Sequence, residues 1–247
     1  MLCAMKLTRR PIATRLHEWS LARLGVGNSD PATNGEYRLL EELPDSPVVF
    51  DVGAHHGDYA AAVLERRPNA TVHCFEPAAE TFQVLATRMG DTARLHRVAL
   101  AECAGTRRLY GDRVGSEMAS LFRRDLAWLS LENAFLEEIE TSTLDEVCAD
   151  TQVDHIDLLK IDAEGAEYLV LVGARRMLAE RRIDRIVFEY GGTALDSHFF
   201  LREFFELLAG HTLFRVLPDG LLPLGSYREQ LEVAQYANYV ATPTRTS

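Results

Sequence analysis

The chain has 247 residues, 47% of them hydrophobic, and its formal net charge at pH 7 is −11. This length and composition fit one α/β domain with additions. Nucleic-acid binding needs a basic face, so the acidic balance argues against a nucleic-acid partner. No stretch approaches the roughly 18 apolar residues of a membrane helix, and the apolar run at the N-terminus is too short for a signal peptide.

The four cysteines are scattered along the chain and form no Cys-x-x-Cys pair. At this chain length, such a pattern indicates reduced thiols rather than a disulfide framework. We therefore expect a cytoplasmic protein.

The predicted elements begin with a helix over residues 12–24, within an N-terminal helical extension that we assign to residues 1–40. From residue 48 strands and helices alternate, which predicts an α/β fold with a doubly wound, mostly parallel sheet. The pattern includes a third strand over residues 93–100 and a single helix over residues 166–182. A long insertion at about 111–138 has weak periodicity, and 106–111 reads as an additional edge strand. The last two predicted strands, 212–218 and 235–242, lack a helix between them and indicate an antiparallel C-terminal hairpin. Residues 41–247 thus form the main domain.

The first predicted strand runs into a helix through "VVFDVGAHHGDYAAAV", with the spacing Asp51-x-Gly53-x-x-x-Gly57. Ligands of such sheets bind at the carboxyl ends of the strands. Gly53 and Ala54 would let a ligand approach the backbone, and Gly57 would let the helix pack closely. A dinucleotide fingerprint has glycine where Asp51 stands. A carboxylate there disfavours pyrophosphate and favours a cationic ligand.

Glu76 ends the second predicted strand, 25 residues after Asp51. An acid at this place can accept hydrogen bonds from both hydroxyls of a ribose. Pro77 beside it and Ala99 at the end of the third strand complete the predicted cofactor-binding set. A nucleoside with a cationic tail fits these residues, which indicates S-adenosylmethionine (SAM).

The segments "FDVGAHHGDYA", "FEP", "TLDE" and "LLKIDAEGAEYLVLVGA" resemble the FkbM-type SAM-dependent methyltransferases. The resemblance runs from about residue 48 to 190. It implies a Rossmann-like class I methyltransferase fold with a seven-stranded sheet, SAM as methyl donor, and O-methylation of small molecules such as natural products or sugars. Family members more often carry Asn and an apolar residue where this chain has His55 and His56.

A second acid cluster, Asp162 and Glu164, ends the fourth main strand in "KIDAEGAE". One carboxylate could hold the methionine amine of SAM, and the other could accept a proton from the acceptor hydroxyl. Glu189 ends the fifth strand at the same edge, and Asp162 with Glu189 could share a Mg²⁺. We favour the reading without metal. His55 is a further candidate base, so the predicted catalytic set is Asp162, Glu164, His55 and Glu189.

Acceptor choice is expected to come from the segments that cover the strand ends, namely residues 1–40 and the insertion. In the insertion, Ser116 and Ser120 could face a ligand, and Met118, Phe122, Trp128 and Phe135 could form an apolar pocket. His198 could reach the site from the loop after the fifth strand. The expected partner is a small-molecule acceptor, with a homo-oligomer as an open alternative. A nicotinamide dehydrogenase and a non-catalytic SAM-binding protein are the rival functions.

Overall fold

A computed structural model describes residues 11–244. The start of the predicted N-terminal extension, with Cys3 and the N-terminal apolar run, lies outside the described residues, as do residues 245–247. The strands are β1 Val48–Val52, β2 Thr71–Phe75, β3 Arg94–His96, β4 Ala99–Leu100, β5 Gly105–Gly111, β6 Ala134–Ser142, β7 Leu158–Ile161, β8 Ile186–Tyr190, β9 His211–Leu217, β10 Gly220–Pro223 and β11 Ala237–Pro243.

Eight of these strands form the main sheet, in the order β10-β9-β11-β8-β7-β1-β2-β3. Strands β3, β2, β1, β7 and β8 pair in parallel, whereas β11 pairs antiparallel with both β8 and β9. This topology confirms the predicted class I methyltransferase-like fold with antiparallel C-terminal strands. The described sheet has eight strands rather than seven because β10 adds an edge strand to β9.

The helices are α1 Pro11–Arg23, α2 Asp58–Arg66, α3 Ala79–Met89, α4 Leu144–Asp150, α5 Glu167–Val172, α6 Arg175–Ala179, α7 Ala194–Ser197 and α8 Leu201–Leu207. Short 3₁₀ helices occupy Glu36–Glu42, Gly90–Thr92, Ala127–Leu129 and Glu229–Leu231. Among residues 11–244, none of the helices is both long enough and apolar enough to cross a membrane. Within residues 11–244, Cys74, Cys103 and Cys148 are all free thiols.

Side chains alternate between the two faces of the main sheet along each strand, and helices cover both faces. In β1, Phe50 and Val52 pack in a core cluster with residues of α5, α6 and α8. Val49 points to the other face and packs with α2, α3 and the 3₁₀ helix at 36–42. Asp51 lies on the same face of the sheet as Val49, so its carboxylate is buried on that face, near the carboxyl end of β1.

Three local predictions differ from the structure. The predicted third strand divides into β3, in the main sheet, and β4, which joins β5 and β6 in a separate three-stranded sheet. Residues 106–111 are therefore not an edge strand of the main sheet. The single helix predicted over 166–182 is broken into α5 and α6 at Gly173, where a Cβ would lie 2.1 Å from the carbonyl oxygen of Ala101.

Candidate active site

The corner after β1 is shaped by close backbone packing. Gly53 has φ +77, and a Cβ there would lie 1.8 Å from the carbonyl oxygen of Asp162. Gly57 has φ +82, and its Cβ would meet Leu85 and Met89 of α3 at 2.8 and 3.0 Å. Gly53 is thus required by the end of β7, and Gly57 allows α2 to pack against α3 rather than against the strand.

Glu76 is buried at the end of β2, directly beside this corner. Its Oε2 accepts a hydrogen bond from the backbone N–H of His55 at 3.1 Å, and its Oε1 accepts one from Ala78 at 2.9 Å. Burial raises the pKa of Glu76 to about 7, although both hydrogen bonds lower it. A carboxylate offers about four lone-pair positions, so each oxygen can accept a further bond from a ligand.

A pocket opens next to Glu76 and is less open to solvent than the cleft that adjoins it, so we call it the enclosed pocket. The lining is mainly apolar and comes from the ends of β1 and β2, the β3–β4 segment, β5 and the insertion. It comprises Val52, Gly53, His55, Phe75, Glu76, Pro77, Val98, Ala99, Leu100, Leu109, Ser116, Glu117, Ala119, Leu121, Asp162, Ala163, Glu164 and Ala166.

A more open and more polar cleft adjoins the enclosed pocket, and the two share Gly53, His55, Glu117, Asp162 and Glu164. Its other walls come from the segment before β1, from α2 and from the ends of β7, β8 and β11. These residues are Ser29, Pro31, Glu36, Tyr37, Ala54, His56, Asp58, Tyr59, Lys160, Glu189 and Tyr236. The two spaces therefore adjoin at these five shared residues.

His55 lies at the boundary of the two spaces. Its backbone has φ +47, a left-handed conformation, and its ring stacks on His56 with the centroids 3.8 Å apart. Burial and the neighbouring His56 lower its pKa, so the imidazole is neutral at pH 7. Its Nε2 is buried without a hydrogen-bond partner. A neutral ring with a free nitrogen at this boundary can accept a proton.

Asp51 and Asp162 both contact Lys160. The Lys160 Nζ lies 3.6 Å from Oδ1 of Asp51 and 3.2 Å from Oδ2 of Asp162. Burial lowers the pKa of Lys160, but the two carboxylates more than offset this and hold it well above its usual range. Lys160 is therefore an ammonium, and Asp51 lies beneath the cleft without lining it.

Glu164 is held by the insertion. Its carboxylate pairs with Arg124, and its carbonyl oxygen accepts a 2.7 Å hydrogen bond from the hydroxyl of Ser120. Its backbone is left-handed, with φ +50. Burial and the charge of Asp162 raise the pKa of Glu164 to about 8. These contacts fix the loop after β7 and join the insertion to the site.

Glu189 ends β8 next to Asp162. Burial, the charges of Asp162 and Glu164, and a hydrogen bond to Asp162 raise the pKa of Glu189 well above its ordinary value. Within the described range, the one cluster that brings three metal-type ligand atoms together is His155, Asp157 and Asp184, at the opposite, amino ends of β7 and β8.

Comparisons with known proteins complete this description. The model of the methyltransferase FkbM domain matches residues 51–212 of the chain, which is more than half of its length.

The chain belongs to the FkbM family of methyltransferases. The protein is therefore a SAM-dependent methyltransferase.

Two relatives in the FkbM family have specific activities in their names. The chain is 29% identical over 196 residues to the 2-O-methyltransferase NoeI of Sinorhizobium fredii, covering 74% of this chain and 79% of NoeI. It is 35% identical over 158 residues to the 31-O-demethyl-FK506 methyltransferase FkbM of Streptomyces tacrolimicus, covering 53% and 61%. The solved FkbM methyltransferase of Methylobacillus flagellatus superposes with a TM-score of 0.52 at 17% identity. That alignment covers 88% of this chain and 49% of the other.

Most residues predicted for the site of this FkbM-family protein lie around the two spaces. The enclosed pocket holds Gly53, Glu76, Pro77 and Ala99, and the open cleft holds Ala54 and Glu189. Asp51 and Gly57 lie behind these walls. His198 is exposed and lines neither space.

The predicted apolar acceptor pocket in the insertion is not formed by the residues expected. Met118, Phe122, Trp128 and Phe135 line neither space, and the side chains of Trp128 and Phe135 are exposed. Ser116 lines the enclosed pocket, whereas Ser120 bonds to Glu164.

The sequence reasoning missed Lys160, Glu36, Tyr59 and Glu167. Glu167 is buried and accepts hydrogen bonds from Ala163 and Gly165 at 2.9 and 3.1 Å, which shapes the loop after β7. A lysine inside the apolar strand "LLKI" was a readable signal, since lysine is almost never fully buried unless it is paired.

Proposed function

We propose that the protein transfers the methyl group of SAM to a hydroxyl of a small, hydroxylated metabolite, such as a natural product or a sugar. The observation that carries the proposal is the pair of adjoining spaces, one mainly apolar and enclosed, the other polar and open, with His55 at their boundary. The names of the relatives, a 2-O-methyltransferase and a 31-O-demethyl-FK506 methyltransferase, support oxygen as the accepting atom.

The residues of the enclosed pocket fit the nucleoside part of SAM. Glu76 has free lone pairs for the ribose hydroxyls, and the apolar walls from Ala99, Leu109 and Leu121 suit a purine ring. Gly53 lets the strand end pack against β7 and leaves the floor of the site free of a side chain. Bound SAM would supply a methyl group activated by its sulfonium sulfur.

The first contribution of the protein to catalysis is the orientation of the acceptor hydroxyl toward the methyl group. Holding the acceptor hydroxyl in line with the transferring carbon converts a bimolecular encounter into a unimolecular one, which is worth several kcal/mol of the barrier. The walls of the open cleft that could hold the acceptor include Tyr37, Tyr59 and Tyr236. The segment 29–37 belongs to the N-terminal extension, and we assign acceptor selection to this extension together with the insertion at about 111–138.

We assign the base to His55. Its neutral imidazole has an unpartnered, buried Nε2 where the two spaces meet. Glu164 lines the same boundary, but its carboxylate is already paired with Arg124. Glu189 lies beside Asp162 and lines the open cleft, where its carboxyl group can orient the acceptor. In this proposal no metal ion takes part.

The test is transfer of a labelled methyl group from SAM to a panel of hydroxylated acceptors, each paired with its deoxy analogue. A hydroxyl-dependent product supports the proposal. Failure of every acceptor, with SAM still bound, would leave a non-catalytic SAM-binding protein.

The variant His55→Asn tests the base. Asparagine tolerates the left-handed backbone at this position, so the corner and the His55 N–H bond to Glu76 are kept. We expect kcat to fall by about 10²–10⁴-fold, the range of general-base catalysis. Affinity for the product S-adenosylhomocysteine (SAH) should change little. An unchanged kcat would remove His55 as the base and leave Glu164 as the candidate.

A further inference from the structure

Above β1, a basic side chain lines the open cleft, whose other charged walls are mostly acidic. The sequence places a carboxylate, Asp51, at this point, but its side chain is 0% exposed in the structure. Lys160 lines the cleft instead, and its ammonium lies 3.6 Å from Oδ1 of Asp51. A ligand that reaches this place meets the lysine and not the aspartate.

Lys160 is fixed in position by the sheet. Asp51 and Lys160 are register partners on the neighbouring parallel strands β1 and β7, so both side chains leave the same face. The Lys160 Nζ also lies 5.0 Å from the ring centroid of Tyr59. It is the only lysine between residues 11 and 244, a range in which every other side chain of fixed positive charge is arginine.

Asp162 supplies the opposite charge beside it. Its side chain is 35% exposed and lines both spaces of the site, and its Oδ2 lies 3.2 Å from Nζ of Lys160. An ammonium has three donors, and a carboxylate has several acceptor positions. Each member of the pair therefore keeps capacity for a ligand, and the cleft offers one positive and one negative group side by side.

We propose that Lys160 and Asp162 form the receptor for the amino-acid end of the donor, in which Lys160 binds the α-carboxylate and Asp162 binds the α-ammonium. This inference rests on the proposed function, since it assumes that SAM occupies the enclosed pocket and extends past Gly53. Asp51 acts one layer below, as a positioning residue for Lys160.

The orphaned polar atoms of the site agree with this arrangement. Neither carboxylate oxygen of Asp51 has a hydrogen-bond partner, and the buried hydroxyl of Tyr59 has none either. Lys160 is the one cation close to both residues. Without its charge, Asp51 would be an isolated carboxylate in the core, which is costly.

The experiment compares three ligands by calorimetry. SAH carries the whole amino acid, its decarboxylated analogue keeps the amine but lacks the carboxylate, and 5′-methylthioadenosine lacks both groups. For Lys160→Met we expect SAH affinity to fall at least tenfold. Affinities for the decarboxylated analogue and for methylthioadenosine should stay within about twofold of the original protein. For Asp162→Asn, SAH and the decarboxylated analogue should both lose affinity, while methylthioadenosine should not.

Two further variants keep the test falsifiable. Asp51→Asn/Lys160→Met removes both buried charges together, so it remains informative if the single lysine variant does not fold. Arg66→Met is the matched control, because Arg66 lies over the ring of Tyr37 at 5.2 Å from its centroid but does not line the cleft. We expect its SAH affinity to match that of the original protein.

The inference is overturned if Lys160→Met weakens all three ligands equally, which would indicate a structural role. It is also overturned if SAH affinity is unchanged and only the KM of the acceptor rises, which would place Lys160 in the acceptor site. Failure of the unmodified protein to bind SAH or methylthioadenosine would instead refute the proposed function itself.

Discussion

The replacement Glu76→Gln tests whether Glu76 binds the ribose of SAM. Glu76 already accepts two backbone hydrogen bonds, from His55 and Ala78, and the remaining lone pairs are those proposed for the ribose. Glutamine keeps one acceptor oxygen and turns the other into an amide donor. The loss is about one charge-assisted hydrogen bond, worth about 1.5–3 kcal/mol. SAH should therefore bind about 10- to 150-fold more weakly, since about 1.4 kcal/mol corresponds to a factor of ten.

The pKa of Glu76 adds a second signature. Burial raises this pKa to about 7, and ribose hydroxyls donate to the ionised form. Binding must then release the proton at low pH, so SAH affinity should fall by up to tenfold per pH unit below pH 7. The Glu76→Gln variant has no carboxyl at this position, and its affinity should be nearly constant between pH 5.5 and 8.

Calorimetry at three pH values measures both effects, and a thermal melt checks the fold. Glu138→Gln is the matched control, because Glu138 is exposed and does not line the pocket. Equal SAH affinity in Glu76→Gln and the original protein at pH 8 would refute the assignment of Glu76 to the ribose.

Three other predictions concern the fold and the metal. Gly53→Ala should lower the melting temperature strongly, because its Cβ would lie 1.8 Å from the carbonyl oxygen of Asp162. Gly210→Ala is the control and should not lower it, because the space around Gly210 is open. Equal melting temperatures of the two variants would contradict this prediction. His73 has a pKa lowered to about 4 by burial and by His96, so the unfolded chain takes up its proton first and stability should fall as the pH drops from about 6.5 to 4. Melts of His73→Phe should show a smaller loss over that range, though not none, because other histidines also have lowered pKa values. Methyl transfer should be unaffected by EDTA, and activity lost with EDTA and restored by Mg²⁺ would instead indicate a metal held by Asp162 and Glu189.

Local patterns were sufficient to predict the order of the main elements. Alternating strands and helices indicated the parallel sheet, and the glycine corner with Glu76 indicated where the enclosed pocket lies. These features depend on residues that are near one another in sequence. The residues lie at strand ends, and the topology of a parallel sheet brings those ends together at one edge. The resemblance in "KIDAEGAE" was specific enough to indicate the family.

The parts that escaped prediction depend on contacts between distant segments. The small sheet joins β4, β5 and β6 through pairings that no local pattern encodes. The sequence also did not show that Lys160, rather than Asp51, lines the open cleft above β1. Asp51 reads as an exposed acid in sequence, but its register with Lys160 across two strands neutralises it. Residues 1–40 were expected to cover the strand ends, but which of them line the cleft, namely residues within 29–37, follows from tertiary packing alone.

A calorimetric titration of the unmodified protein with SAH, and separately with NAD⁺, tests whether the chain binds the methyl donor. We expect one SAH site per chain, for which SAM competes, and no detectable binding of NAD⁺. Binding of NAD⁺ without binding of SAH at millimolar concentration would contradict this expectation and would favour a nicotinamide-dependent dehydrogenase.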